Sequence, residues 1–163
     1  MIEKLWKIYE VNKEWIKFAA TKAIAFIALI GVIFNILFKL TDEIVSLSNY
    51  NIVKILYGIS IFLLSISLLL SVCCLCPRTS KTDTVDKKNV IYYKSINDNF
   101  ENENDYFSEL KESDGNFDEQ LSAQIYQLAK VATKKYCIVK WSLRLFAISF
   151  VLIIILMTLL KIG

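Results

Sequence analysis

The stretch "QIYQLAKVATKKYCIVKWSLRLFAISFVLIIILMTLL", Gln124–Leu160, passes from a polar pattern into hydrocarbon without a glycine or a proline. Its first half has the three-to-four spacing of an amphipathic helix. Its second half, Leu145–Leu160, carries no charge over 16 residues. The sequence therefore predicts one continuous helix from Glu119 to Leu160. Those 42 residues would measure roughly 60 Å, about twice the thickness of a bilayer's hydrocarbon core.

Two further apolar blocks precede this helix, in a chain that is 55% hydrophobic. Ala23–Phe38 has 16 uncharged residues and Ile55–Pro77 has 23. A helix needs about 20 apolar residues to cross a bilayer, and the shorter blocks reach that length if Lys22 and Arg144 extend to the headgroups. The predicted transmembrane helices are Phe18–Phe38, Val53–Leu75 and Trp141–Leu160.

The distribution of basic residues predicts how the chain is oriented. Lysines and arginines number 5 in residues 1–22, 2 in 39–54, 11 in 78–144 and 1 at Lys161. Because basic residues near helix ends collect on the cytoplasmic side, we expect the N-terminus and residues 78–140 in the cytoplasm.

Together these patterns predict an all-α membrane protein with three transmembrane helices. Two of them are expected to be long and to continue into a cytoplasmic helical stalk that carries a small irregular insert. Residues 1–77 would form an amphipathic helix and the first two spans. Residues 78–118 would form the insert, and residues 119–163 the long helix with the third span.

Each long helix has an apolar stripe that continues towards its span, and the parts of the two stripes outside the bilayer are predicted to pack against each other. The stripe of the last helix contains Leu121, Ile125, Leu128, Ala132, Tyr136, Val139, Leu143 and Phe146. The stripe of the first helix contains Leu5, Ile8, Val11 or Asn12, Trp15 and Ala19.

The insert mixes acidic and aromatic residues, with 9 carboxylates and one lysine between Asp98 and Glu119. The β-branched and aromatic run Asn89–Ile96 favours a short strand or an irregular docking segment. We expect a short helix near Asp105–Lys111, a turn at Asp114-Gly115-Asn116, and Asp118 as the cap of the next helix.

No catalytic pattern is present in the sequence. Histidine, the common general base, is absent, and the four glycines form no phosphate-binding loop. The acidic run lacks the spacing of a calcium loop. The four cysteines, without histidine, do not suggest a zinc site. We therefore predict a protein that is not an enzyme, has no metal or cofactor, and does not bind nucleic acid.

Two polar patterns each have two interpretations. Lys130, Lys134, Lys135, Lys140 and Arg144 line the polar part of the last helix, where they would contact anionic lipid or a nucleotide phosphate. In the membrane, Ser60, Ser67 and Ser71 share one helix face, and Asn35 adds a polar group to the first span. This polar stripe indicates either helix packing or, in an oligomer, a pore lining.

Two stretches resemble the Pycsar transmembrane effector family. One is "QIYQLAKVATKKY", Gln124–Tyr136, preceded by the aromatic "IYYKSI", Ile91–Ile96. The other is "WIKFAATKAIAF", Trp15–Phe26, which is similar to the start of the family's first membrane helix. The resemblance covers most of the chain. Ala20 stands where the family often has an acid, and Ser95 where a histidine is frequent.

The resemblance implies a bacterial antiphage effector in the inner membrane. A partner cyclase would make a cyclic nucleotide, cUMP or cCMP, and the effector would respond by disrupting the membrane and arresting growth. It implies ligand contacts at Tyr92, Tyr93, Lys94, Lys130, Lys134 and Lys135. Because three spans are too few to enclose a water path, we also expect a homo-oligomer in the lipid bilayer. A membrane-anchored scaffold and an ungated holin-like toxin are the alternatives.

Overall fold

The computed structural model describes residues 1–46, 51–76, 89–112 and 116–162, and the regular structure in these ranges is entirely helical. The six helices are α1 (Ile2–Lys39), α2 (Thr41–Ser46), α3 (Asn51–Leu75), α4 (Tyr93–Asn99), α5 (Glu103–Glu112) and α6 (Phe117–Ile162). The predicted all-α class is confirmed.

Three of these helices, α1, α3 and α6, are long and apolar enough to cross a membrane. Each contains one of the three predicted spans, which supports a multi-pass membrane protein. α1 is a single helix of 38 residues and α6 a single helix of 46. No proline falls within either helix, so the backbone hydrogen-bond ladder is not interrupted by a missing donor.

The insert differs from its prediction at both ends. Of the two alternatives for Asn89–Ile96, the strand is wrong. Asn89 to Tyr92 are irregular, and α4 begins at Tyr93. The helix predicted near Asp105–Lys111 is α5. Asp118 lies in the first turn of α6 rather than at its cap, since that helix already begins at Phe117. Of the predicted turn at Asp114-Gly115-Asn116, the first two residues lie outside the described residues.

The chain folds into two compact units. The polar unit contains Met1–Lys17 and Pro77–Thr133, and the membrane unit contains Phe18–Cys76 and Lys134–Gly163. α1 and α6 each contribute residues to both units. The segments predicted from the sequence describe the order of the chain, whereas these units group residues that pack together.

The membrane unit has two apolar clusters. The larger one is built on buried residues of α1, α3 and α6, among them Ile30, Leu37, Leu64 and Leu156. The smaller one contains Ala19, Ala23, Cys74 and Val139. Three of these four side chains are small enough to let helix backbones approach closely, which is how helices associate in lipid.

A serine seam, formed by Ser60, Ser67 and Ser71 of α3 with Ser142 and Ser149 of α6, joins these two helices. All five side chains are buried. The Ser67 hydroxyl donates to the Ser142 carbonyl at 2.9 Å, and the Ser142 hydroxyl donates to the Ser67 carbonyl at 3.0 Å. The Ser149 hydroxyl donates to the Ser60 carbonyl at 2.9 Å. Hydroxyls that reach main-chain oxygens of the opposite helix require a close contact between the two backbones.

The seam has a constant antiparallel register. Ser60 pairs with Ser149. Seven residues later along α3 and seven residues earlier along α6, Ser67 pairs with Ser142. After another seven residues, the Lys135 ammonium donates to the Cys74 carbonyl at 2.6 Å. A seven-residue repeat returns side chains to the same helix face, as in a coiled coil.

The predicted stripe of α6 is followed only in part within the membrane unit. Val139 is buried and Phe146 half-buried, as expected. Leu143, however, is exposed, and its neighbour Ser142 occupies the buried position. The large apolar side chain faces outward because the seam requires a small residue.

The predicted stripe of α1 is wrong at Ile8 and Trp15, and of its two alternatives Asn12 is right and Val11 wrong. Ile8, Val11 and Trp15 are exposed. The less exposed face of α1 in the polar unit instead contains Leu5, Tyr9, Asn12 and Ile16. The ring contact between α1 and α6 there joins Trp6 to Phe117, with centroids 6.3 Å apart.

Replacing Ser142 with leucine should destabilise the membrane unit, because the seam has no room for a branched side chain between the two backbones. Overpacking of this kind typically costs about 1–3 kcal/mol. Thermal unfolding of the purified protein in detergent would measure the change. Ala147→Leu, at an exposed position of the same helix, is the matched control. Equal melting temperatures for the two variants would contradict the close contact.

Candidate ligand site

The polar unit contains an ordered turn immediately before α4. The side-chain oxygen of Asn89 accepts hydrogen bonds from the N–H groups of Ile91 and Tyr92, each at 2.9 Å. The Ser95 hydroxyl oxygen accepts a bond from the Asn89 N–H at 3.0 Å. Asparagine commonly stabilises turns through bonds to the backbone two or three residues ahead. The turn is therefore held by its own side chains.

Val90 connects this turn to two helices. Its side chain is buried, its N–H donates to the Gln120 side-chain oxygen at 3.0 Å, and its carbonyl accepts from the Tyr106 hydroxyl at 3.0 Å. Gln120 belongs to α6 and Tyr106 to α5. Buried backbone groups need such partners, so these two side chains fix the turn in the polar unit.

Tyr106 is itself held in place by an aromatic contact. Its ring meets the ring of Phe100 edge-on, with centroids 5.3 Å apart. Leu121, next to Gln120 on α6, is fully buried. The segment that carries the predicted ligand residues is thus supported by packing as well as by hydrogen bonds.

Three predicted ligand residues are consecutive at the start of α4. Tyr92 is half-buried and Lys94 is exposed. Tyr93 is the first residue of α4, and its side chain lies outside the described part of the chain. The polar unit thus holds an aromatic residue and a cation next to the ordered turn.

The three predicted lysines of α6 differ in their surroundings. Lys130 is exposed in the polar unit, with its ammonium 4.3 Å from the Tyr126 ring centroid. Lys134 is exposed and belongs to the membrane unit. Lys135, also in the membrane unit, is only 8% exposed and donates to the Cys74 carbonyl. Only Lys130 shares the polar unit with Tyr92 and Lys94.

The two residues that depart from the family pattern, Ser95 and Ala20, lie in different units. Ser95 accepts from both the Asn89 N–H and the Asn99 side-chain nitrogen, at 3.0 and 2.9 Å. It therefore takes part in the architecture of the turn. Ala20 is a half-buried residue of α1 in the membrane unit.

Sequence reasoning missed Asn89, Tyr106 and Gln120, which build the turn. Asn89 carries a recognisable signal, since asparagine often begins such turns, but the β-branched and aromatic run after it favoured a short strand or an irregular segment. Gln120 lies 30 positions after its partner Val90, so no local pattern indicates that bond.

The residues of the predicted membrane polar stripe also differ in their surroundings. Ser60, Ser67 and Ser71 are buried in the serine seam, where their hydroxyls bond to main-chain or serine oxygens. Asn35 is exposed on α1 and does not belong to the seam. In the membrane unit the three serines are thus involved in helix packing.

In the described ranges no group of three or more His, Cys, Asp or Glu side chains is placed to hold a metal ion. The polar unit contains Tyr92, Lys94 and Lys130, and of these Tyr92 and Lys94 adjoin the ordered turn. Such groups suit stacking on a base and pairing with a phosphate.

Comparison with known proteins agrees with the layout of the helices. A family model described as Pycsar effector protein domain matches residues 4–162 of the 163-residue chain. The chain belongs to the Pycsar effector family. No curated protein and no solved structure matches it. The resemblance seen in the sequence is therefore confirmed for nearly the whole chain.

Membership defines the general role of this Pycsar effector. It is a cyclic-nucleotide-associated antiphage effector with membrane-spanning helices, and its signal comes from a partner cyclase. The family is one of effectors, not a known family of enzymes.

Gln120→Leu should loosen the turn before α4, because it leaves the buried Val90 N–H without a partner. Loss of a partner for a buried donor costs about 1–3 kcal/mol. Hydrogen exchange at Ile91 and Tyr92 should accelerate relative to the wild type. Gln127→Leu, the same change seven residues further along α6, is the control, and equal exchange in both variants would refute the assigned role.

Proposed function

We propose that this Pycsar effector senses cUMP or cCMP in the cytoplasm and responds by disrupting the bacterial inner membrane. The growth of an infected cell then stops before phage replicate. Its main support is the family match over residues 4–162, together with three helices long enough to span a bilayer.

The polar unit is the proposed sensor. Tyr92 and Tyr93 would stack on the pyrimidine base, while Lys94 and Lys130 would pair with the cyclic phosphate. The ordered turn supports this assignment, since preorganised binding residues lose little conformational freedom when a ligand binds. Lys135 is left out, because its ammonium already bonds to the Cys74 carbonyl.

The long helices are the proposed route from the sensor to the membrane. α1 and α6 are single helices that contribute residues to both units. A tilt or rotation imposed on the polar part of such a helix is passed to its apolar part unless a flexible joint intervenes. Ligand binding then changes the membrane unit through one or both helices.

Membrane damage is proposed to require several copies of the chain. The membrane unit has three spanning helices, and its buried serines pack α3 against α6 rather than face water. A water path would therefore form between copies. Cross-linking in native membranes should yield oligomers, and monomer alone with and without nucleotide would argue against a pore.

The ligand prediction is tested with purified full-length protein in liposomes. cUMP or cCMP should raise the melting temperature, because a ligand that binds only the native state stabilises it. The same nucleotide should release an entrapped dye. Cyclic dinucleotides serve as the comparison ligands.

Three outcomes distinguish the functional classes. No shift and no leakage with any nucleotide would remove the proposed sensing. Leakage and toxicity without nucleotide or cyclase would indicate an ungated, holin-like toxin. A stable protein partner bound through residues 98–119, with growth unaffected, would indicate a scaffold.

Lys94→Gln and Lys130→Gln should each weaken nucleotide binding by roughly tenfold to a hundredfold, the loss expected for a hydrogen bond to a charged group. Calorimetric titration would measure the dissociation constants. Lys111→Gln is the matched control, since Lys111 is an exposed lysine of α5 whose ammonium lies over Phe107. If all three variants bind like the wild type, the assigned contacts are wrong.

A further inference from the structure

Exposed cations surround one end of the membrane unit. The small cluster of Ala19, Ala23, Cys74 and Val139 packs α1, α3 and α6 together at this end. Lys22 adjoins Ala23 and Lys140 adjoins Val139 in the chain, so both lie at the level of the cluster. We define the basic collar as the four exposed cations at this end: Lys22, Lys134, Lys140 and Arg144.

The basic collar has no acidic counterpart in its unit. In the membrane unit, the only acidic residues are Asp42 and Glu43. Both belong to α2, which follows the opposite end of α1. A fifth cation, Lys135, is buried and bonded to the Cys74 carbonyl. The charge of the collar is therefore not neutralised by carboxylates of its own unit.

Aromatic rings hold two of the collar's cations. The Lys22 ammonium lies 4.4 Å from the Phe18 ring centroid, and the Arg144 guanidinium lies 5.1 Å from the Trp141 ring centroid. Trp141 is 53% exposed. Tryptophan is enriched where membrane meets water, and a cation over an aromatic face gains electrostatic attraction. These pairs hold positive charge against aromatic rings, one of them a residue type typical of the membrane–water interface.

We propose that the basic collar binds the headgroups of anionic phospholipids. Arg144 comes immediately before the uncharged block Leu145–Leu160, where its long side chain can return to the interface. Lys134 lies ten residues, roughly 15 Å, from Arg144 along α6. Lys134 therefore contributes the least of the four cations to headgroup binding.

This assignment differs from a nucleotide site in its geometry. The collar's cations come from two helices, α1 and α6, and are spread over the outside of the membrane unit. A single small phosphate cannot contact all of them, whereas several lipid headgroups can. Lys134, one of the predicted nucleotide contacts, is thereby reassigned to lipid. The inference holds whether or not the proposed nucleotide response is correct.

Lipid selectivity of the full-length protein tests the inference. The protein is reconstituted in phosphatidylcholine vesicles that contain a trace of spin-labelled phosphatidylglycerol or spin-labelled phosphatidylcholine. The immobilised fraction of each label gives its relative association. Wild type should prefer phosphatidylglycerol, and the preference should decrease as salt screens the charges. Lys140→Gln combined with Arg144→Gln should reduce it by about fivefold for each cation removed.

Two lysines far from the collar provide the control for a general effect of positive charge. Lys39→Gln and Lys161→Gln remove exposed lysines at the opposite end of the membrane helices, where Asp42 and Glu43 offset positive charge, and should reduce the preference by less than the collar variant does. Equal association of both labels with the wild type would overturn the inference, and this measurement needs no variant to fold. Displacement of labelled phosphatidylglycerol by millimolar inorganic phosphate or cUMP would identify a site for soluble phosphates instead.

Discussion

The close contact between α3 and α6 is the constraint on which the membrane unit depends. In lipid there is no hydrophobic gain from bringing two apolar helices together, so van der Waals packing and hydrogen bonds between helices must supply the association. The serine seam supplies both. Its hydroxyls bond to carbonyls of the opposite helix at 2.9–3.0 Å. Because each pair follows the last by seven residues, the seam fixes one antiparallel register along the membrane helices.

The seam also explains where the sequence predicted packing well and where it failed. Blocks without charge located all three spans, because exclusion of charge from hydrocarbon is a strong constraint. The apolar stripe of α6 was right at Val139 and wrong at Leu143, since apolar periodicity assigns large residues to the core. In lipid a leucine can face outward at no cost, and Ser142 takes the inner position. In the polar part of α1, the predicted stripe was right at Leu5 and wrong at Ile8 and Trp15, since two apolar faces compete there and periodicity alone does not separate them.

The residue types of the candidate ligand site could be predicted from the sequence, but the hydrogen bonds that hold the site together could not. Aromatic and basic residues near Tyr92 and Lys130 are visible in the sequence. The bonds that shape the turn are not, because Val90 depends on side chains from two other helices, Tyr106 and Gln120. The different surroundings of the adjacent Lys134 and Lys135 could not be predicted from the sequence either. Successive helical residues point about 100° apart, so one is exposed and the other reaches a backbone carbonyl.

The register of the seam restricts how the membrane unit can respond in the proposed function. A shift of α6 by one helical turn would keep Ser142 beside Ser71, to which it already bonds at 2.8 Å. The same shift would set Ser149 beside Leu64, leaving its hydroxyl without the Ser60 carbonyl. α1 contacts the pair through apolar groups such as Phe26 against Phe146, and near the end of α1 the Tyr57 hydroxyl of α3 donates to the Leu37 carbonyl at 3.3 Å. The aromatic contact has no directional bond to break, so the part of α1 near Phe26 moves against a fixed α3–α6 pair at less cost than sliding within the pair.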